Sequence, residues 1–185
     1  MGDFPQKRSA MNNHRTYIAF DATGVYDHIN SNFHSFLQLE EWERSAPSRF
    51  HFLNTQEIDF SSYHDDLVDS TLKRHFLGLM EKADNLIVVA SPVLNVDSPI
   101  LNWQISRAVN RFRLPVIVCY AGLDYVNEDT IRTFWSWLPA KIRKYIGRSS
   151  AKMCHIPLTK DKLERALGAF SVNENLYPWD ATTIF

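Results

Sequence analysis

Runs of consecutive apolar residues alternate along this chain with stretches whose apolar positions recur every three or four residues. Thr16–Phe20 reads as a short apolar strand. A turn around Asp21–Gly24 and a helical stretch follow, with Ile29, Phe33, Phe36 and Leu37 on one face. Arg49–Leu53 predicts a second strand. After a polar loop, Leu67, Val68, Leu72, Phe76, Leu79 and Met80 form a helical stripe. Asn85–Ala90 is apolar without alternation, the mark of a strand covered on both sides. Pro99–Phe112 predicts a helix with Pro99 in its first turn, leading to a strand at Pro115–Tyr120. Ile131, Phe134, Trp135 and Leu138 mark a fourth helical region, Lys152–Ile156 a weaker strand and Lys160–Phe170 a last helix. Five strands alternating with helices imply a parallel sheet with helices on both faces.

Composition narrows the class. With 185 residues, 45% of them hydrophobic, the chain can bury one sizeable core, so one α/β domain is expected. Residues 1–14 read as a flexible polar leader, 15–170 as the domain and 171–185 as a C-terminal tail. A net charge of −1 argues against a broad nucleic-acid footprint, since neutralising many phosphates takes a basic surplus. No apolar stretch is long enough for a membrane span, and the N-terminus has no signal-like core. Cys119 and Cys154 are solitary and distant, which suits a reducing cytoplasm better than a disulfide or metal site. His28, His34, His51, His64 and His75 lack metal-ligand spacing, so no metal is expected.

In open parallel sheets ligands gather beyond the carboxyl ends of the strands. That edge collects Phe20-Asp21-Ala22, Asn54-Thr55-Gln56-Glu57, Ala90-Ser91-Pro92 and Cys119-Tyr120-Ala121. Gln104, one turn into the helix after the third strand, is expected to project over it. The chain has neither a G-x-G-x-x-G after its first strand nor a G-x-x-x-x-G-K-[ST] motif, so a bound phosphate would rely on helix N-termini and hydroxyls. Each candidate has a plainer reading. Asp21 suits a helix cap as well as a ribose contact. Ser91 suits a strand-ending turn as well as a phosphate contact. Trp103 makes an apolar stripe with Ile100 and Ala108 without any ligand. Phe134–Leu138 and Leu176–Trp179 offer apolar surface for the core or for a partner.

Arg15-Thr16-Tyr17-Ile18-Ala19-Phe20-Asp21, the Phe50-His51-Phe52 strand, Asn102-Trp103-Gln104-Ile105 and Leu114-Pro115-Val116-Ile117-Val118 resemble the bacterial TIR-like proteins of the Thoeris ThsB family. The resemblance covers roughly Arg15 to Ala121. It implies a flavodoxin-like TIR fold with five parallel strands in the order 2-1-3-4-5. It also implies cleavage of NAD at the nicotinamide–ribose bond and, in antiphage defence, an ADP-ribose-derived signal for a downstream effector. NAD would then be the substrate, held near Phe20, Asp21, Ala22, Asn54, Ser91 and Trp103, with residue 104 catalytic. A homo-oligomer and a phage protein trigger belong to the same expectation.

In that family the residue after this tryptophan is, as a rule, the catalytic glutamate, and here it is Gln104. Cleaving the glycosidic bond builds positive charge on the ribose, which a carboxylate stabilises and a neutral amide does not. Losing one such preorganised contact costs about 3–4 kcal/mol. Two readings follow: an NAD-cleaving signal synthase, here in a catalytically silent Glu-to-Gln form, and a non-catalytic TIR-like adaptor or sensor that assembles with partners or recognises a phage component.

Overall fold

Asn85–Ala90 is buried at every residue, and its side chains split between two cores. Leu86, Val88 and Ala90 enter one, while Ile87 and Val89 enter the other. That division is what a strand of period two does when both faces are covered. The computed structural model describes residues 14–20, 32–45, 50–53, 70–174 and 176–185. Through them run β1 (His14–Ala19), α1 (Phe33–Arg44), β2 (Phe50–Phe52), α2 (Ser70–Lys82), β3 (Asn85–Ala90) and α3 (Pro99–Asn110). Then come β4 (Val116–Tyr120), α4 (Glu128–Thr133), a 3₁₀ turn (Trp135–Trp137), α5 (Ala140–Arg148), β5 (Met153–Pro157), α6 (Lys160–Ala169) and β6 (Thr182–Ile184).

The sheet is parallel, with six strands in the order β2-β1-β3-β4-β5-β6. Its first five strands follow the 2-1-3-4-5 order of doubly wound flavodoxin-like sheets. The expectation of five strands is corrected by β6, which lies in the segment read as a tail. Thr182, Thr183 and Ile184 pair with Met153, Cys154 and His155, giving the free edge of β5 a partner. So short a strand, with one apolar residue, has no periodic signal of its own.

One face of the sheet carries α2, α3 and α5. Leu72, Phe76, Leu79 and Met80 of α2 meet Ile100, Leu101, Ile105, Ala108 and Val109 of α3, with Ile142 and Tyr145 of α5 beside them. The other face carries α1 and α6 through Phe36, Leu39, Leu163, Ala166 and Leu167. Leu37 does not join the core face of α1; it is 44% exposed, and Leu39 is the buried leucine. Ile29, Leu67, Val68 and the Asp21–Gly24 turn lie outside the described residues. The predicted fourth helix resolves into α4 and the 3₁₀ turn, and α5 is an additional element. Pro139 stands at its N-cap and Ser149, in the left-handed conformation at φ 46°, ends it.

The start of α3 positions the site edge. Ser98 caps the helix by accepting a hydrogen bond from the Leu101 amide at 3.3 Å, and Pro99 opens the first turn, where its missing N–H costs nothing. Asn102 ties α3 to α5: its Oδ1 accepts from the Lys141 amide at 2.9 Å. With both ends of this contact anchored, the rotation of α3 decides which of its side chains point at β1.

Candidate functional site

Gln104 points from α3 to the carboxyl end of β1. It is completely buried. Its Nε2 donates to the Phe20 carbonyl at 2.8 Å, and its Oε1 accepts from the Tyr17 hydroxyl at 2.7 Å and the Phe20 amide at 3.3 Å. Phe20 follows the last residue of β1, beyond the β1–β3 ladder, and there a side-chain amide takes up its backbone N–H and C=O. Burial pushes the Tyr17 hydroxyl well above its ordinary range, leaving it a neutral donor. The cluster of Tyr17, Phe20 and Gln104 contains no charged group.

A second polar cluster stands at the end of β3. Asn32, just before α1, donates through Nδ2 to the Val89 carbonyl at 2.9 Å, and the Ser91 hydroxyl donates to Asn32 Oδ1. Phe20 packs on Phe36 of α1 with ring centroids 5.1 Å apart. Phe20, Ser91 and Gln104 therefore share the carboxyl edge of β1 and β3, as expected from the strand ends. Trp103 faces another direction from Gln104. One residue along a helix turns the side chain by about 100°, and the indole lies instead near Lys73 (5.9 Å) and Arg107 (5.8 Å). Asp21, Ala22 and Asn54 lie outside the described residues.

Two contributors to this edge escaped the sequence reading. Tyr17 reads from sequence as a member of an apolar strand and of the Arg15–Asp21 block, with nothing to name its partner, although a buried tyrosine hydroxyl ordinarily finds one. Asn32 carries a residue type favoured ahead of helices, but its contacts are to β3, 57 residues away in sequence for Val89 and 59 for Ser91.

As an arrangement for chemistry, the described part of the edge offers hydroxyl and amide groups, and Gln104 has its oxygen engaged twice and its nitrogen once. Among the described residues no group of three or more His, Cys, Asp or Glu side chains is placed to hold a metal. Cys119 and Cys154 are buried in neighbouring strands, where desolvation raises both thiols and disfavours the nucleophilic thiolate. No helix among the described residues is long and apolar enough to cross a membrane.

The chain matches no protein-family model and no curated protein. Among solved structures it is similar to FerB, a flavoenzyme NAD(P)H:(acceptor) oxidoreductase from Paracoccus denitrificans, at 14% identity and a TM-score of 0.35, over 75% of this chain and 72% of that one. A likeness of that size carries no functional argument.

Proposed function

We propose that this chain is a TIR-like domain of a Thoeris-type antiphage system that acts by binding and assembly, as adaptor or sensor, and does not cleave NAD. The observation that carries this reading is the state of Gln104: a neutral side chain, fully buried, whose carbonyl and amine are both committed to Tyr17 and Phe20. Where the resembled family needs a carboxylate facing ribose, this chain has an amide holding its own backbone. The first five strands, in the order 2-1-3-4-5, support the TIR-like assignment alongside the Arg15–Asp21 and Asn102–Ile105 blocks. Exposed Leu176 and Tyr125, at 69% and 71%, offer apolar contact surface for a second copy or a phage protein.

A second reading, in which the edge binds NAD and releases an ADP-ribose-derived signal, is favoured by one observation. Phe20, Ser91 and Gln104 stand together at the carboxyl edge of adjacent strands, the usual ligand position in such sheets. The test measures nicotinamide release and NAD binding for the wild type, Gln104→Glu and Gln104→Ala, each with and without extract from phage-infected cells. The adaptor reading expects no release from the wild type under any condition. Release that depends on the extract and disappears in Gln104→Ala would replace it with the enzymatic reading.

A further inference from the structure

At the opposite edge of the sheet, where the chain enters β4 and β5, the segment after α6 folds back and forms one wall of an open pocket of about 280 Å³. Phe112, Arg113, Lys152, Glu174, Tyr177 and Trp179 are among the residues lining it. Two of its cations lack a conventional partner. Lys152 is 4% exposed, yet its Nζ donates to the Glu174 carbonyl at 2.6 Å and lies 5.5 Å from the Phe170 ring, with no carboxylate in ion-pairing contact among the described residues. Burial lowers its pKa, opposed by the charge of Glu174 acting from farther off. A buried ammonium satisfied chiefly by neutral groups is costly unless something else supplies the countercharge.

Arg113 follows the end of α3 at φ 56°, the left-handed conformation usually given to glycine at this position. The Leu114 amide reaches back to the Ala108 carbonyl at 3.0 Å, as in a helix-terminating turn. The backbone there gains nothing from an arginine, so its side chain is the informative part. The guanidinium lies 4.1 Å from the centre of the Trp179 ring and forms no ion pair among the described residues. The indole nitrogen of Trp179 is itself buried and has no hydrogen-bond partner among the described residues.

We propose that this pocket binds a small aromatic monocarboxylate, its carboxylate held by Arg113 and Lys152 and its ring packed among Phe112, Tyr177 and Trp179. Two cations and one acid, Glu174, leave a single unmatched positive charge, which suits a monoanion better than a phosphate dianion. The planar fork of arginine matches a carboxylate in two hydrogen bonds, and the aromatic lining matches a flat apolar body. A volume of about 280 Å³ suits a ligand of one or two rings. The site lies at the sheet edge opposite Gln104.

The experiment follows the indole N–H resonances of the ¹⁵N-labelled protein, with Trp179 assigned through Trp179→Phe, during titration with benzoate, nicotinate, indole-3-acetate and the neutral isostere benzamide. At least one carboxylate is expected to shift the Trp179 resonance saturably, with benzamide weaker than benzoate by about tenfold or more. Arg113→Gln, at an exposed side chain, should weaken binding by about tenfold while leaving the thermal midpoint unchanged. Lys152→Met should abolish binding, with its fold checked by the same spectrum. Absence of a saturable shift with all three carboxylates at millimolar concentration, equal binding of benzamide, or unchanged affinity in Arg113→Gln would each overturn the proposal.

Discussion

Gln104 and Phe20 meet as two amides face to face: the side-chain nitrogen donates to the backbone carbonyl at 2.8 Å, and the backbone nitrogen donates to the side-chain oxygen at 3.3 Å. The pair is selective for glutamine over glutamate. A carboxylate accepts from the Phe20 amide and the Tyr17 hydroxyl but has nothing to give the Phe20 carbonyl, whereas a protonated carboxyl does.

Gln104→Glu is therefore expected to create a buried acid that stays protonated in the folded chain, with its pKa above the unfolded value of about 4.3. Below that pH both states carry the proton and the variant should match the wild type closely. As pH rises, the unfolded chain ionises first, so the variant loses stability until the folded acid also ionises. A loss of about 2–4 kcal/mol at pH 7 is expected from the burial of the group. Urea unfolding of both proteins at pH 4 and pH 7 measures the difference between them; a variant as stable as the wild type at both pH values would mean that Gln104 does not hold Phe20 in this way.

Tyr17→Phe should cost about 1 kcal/mol, because Gln104 keeps its contacts to Phe20 and loses one donor. Gln104→Ala removes the hydrogen bonds to the Phe20 amide, the Phe20 carbonyl and the Tyr17 hydroxyl together and should cost about 2–4 kcal/mol. Since the two residues share a hydrogen bond, the double variant should lose less than the sum. A double-mutant cycle by denaturant unfolding gives the coupling, and strict additivity would place the hydroxyl outside the network.

His155 is fully buried in β5 with Nδ1 3.1 Å from the Tyr120 hydroxyl, and burial drives its pKa down to about 4. The unfolded chain takes up this proton near pH 6.5 and the folded chain only near 4. Stability is accordingly complete above about 6.5 and falls as pH is lowered toward 4, by about 3 kcal/mol for this group. His155→Asn, which keeps an acceptor for Tyr120, should flatten the unfolding free energy between those two pH values.

The C-terminal segment is an integral layer of the domain. Tyr177 stacks on Phe170 at 4.9 Å, Phe185 meets the same ring edge-on at 5.6 Å, and β6 pairs with β5. Tyr177→Ala should cost about 2 kcal/mol. Removing residues 171–185 should also bare the edge of β5 and promote association between chains. Light scattering of the truncated protein at rising concentration reads this out; a monodisperse, equally stable monomer would contradict it.

Much of the architecture was legible because continuous apolar runs and helical stripes are local properties. Asn85–Ala90 could be read as a two-sided central strand from its six residues alone, and α3 from Pro99 and the apolar spacing after it. The helix α5 was harder, since its buried positions, Ile142 and Tyr145, are outnumbered by Lys141, Arg143, Lys144 and Arg148. Position 104 drew notice through its place after Trp103, which local reading and resemblance together supply. What occupies its two polar ends was not legible, because Tyr17 lies 87 residues away and Phe20 lies 84.

The sequence by itself thus determined the alternation of strands and helices, the burial of both sheet faces and the strand edge at which candidate residues gather, all consequences of hydrophobic spacing among near neighbours. Only the tertiary structure decided that Gln104 closes on Phe20 while Trp103 lies between Lys73 and Arg107, and that Thr182–Ile184 becomes a sixth strand. Hydrogen-bond partners distant in the chain are chosen by how helices settle on the sheet, and a free strand edge recruits whatever backbone packing brings beside it.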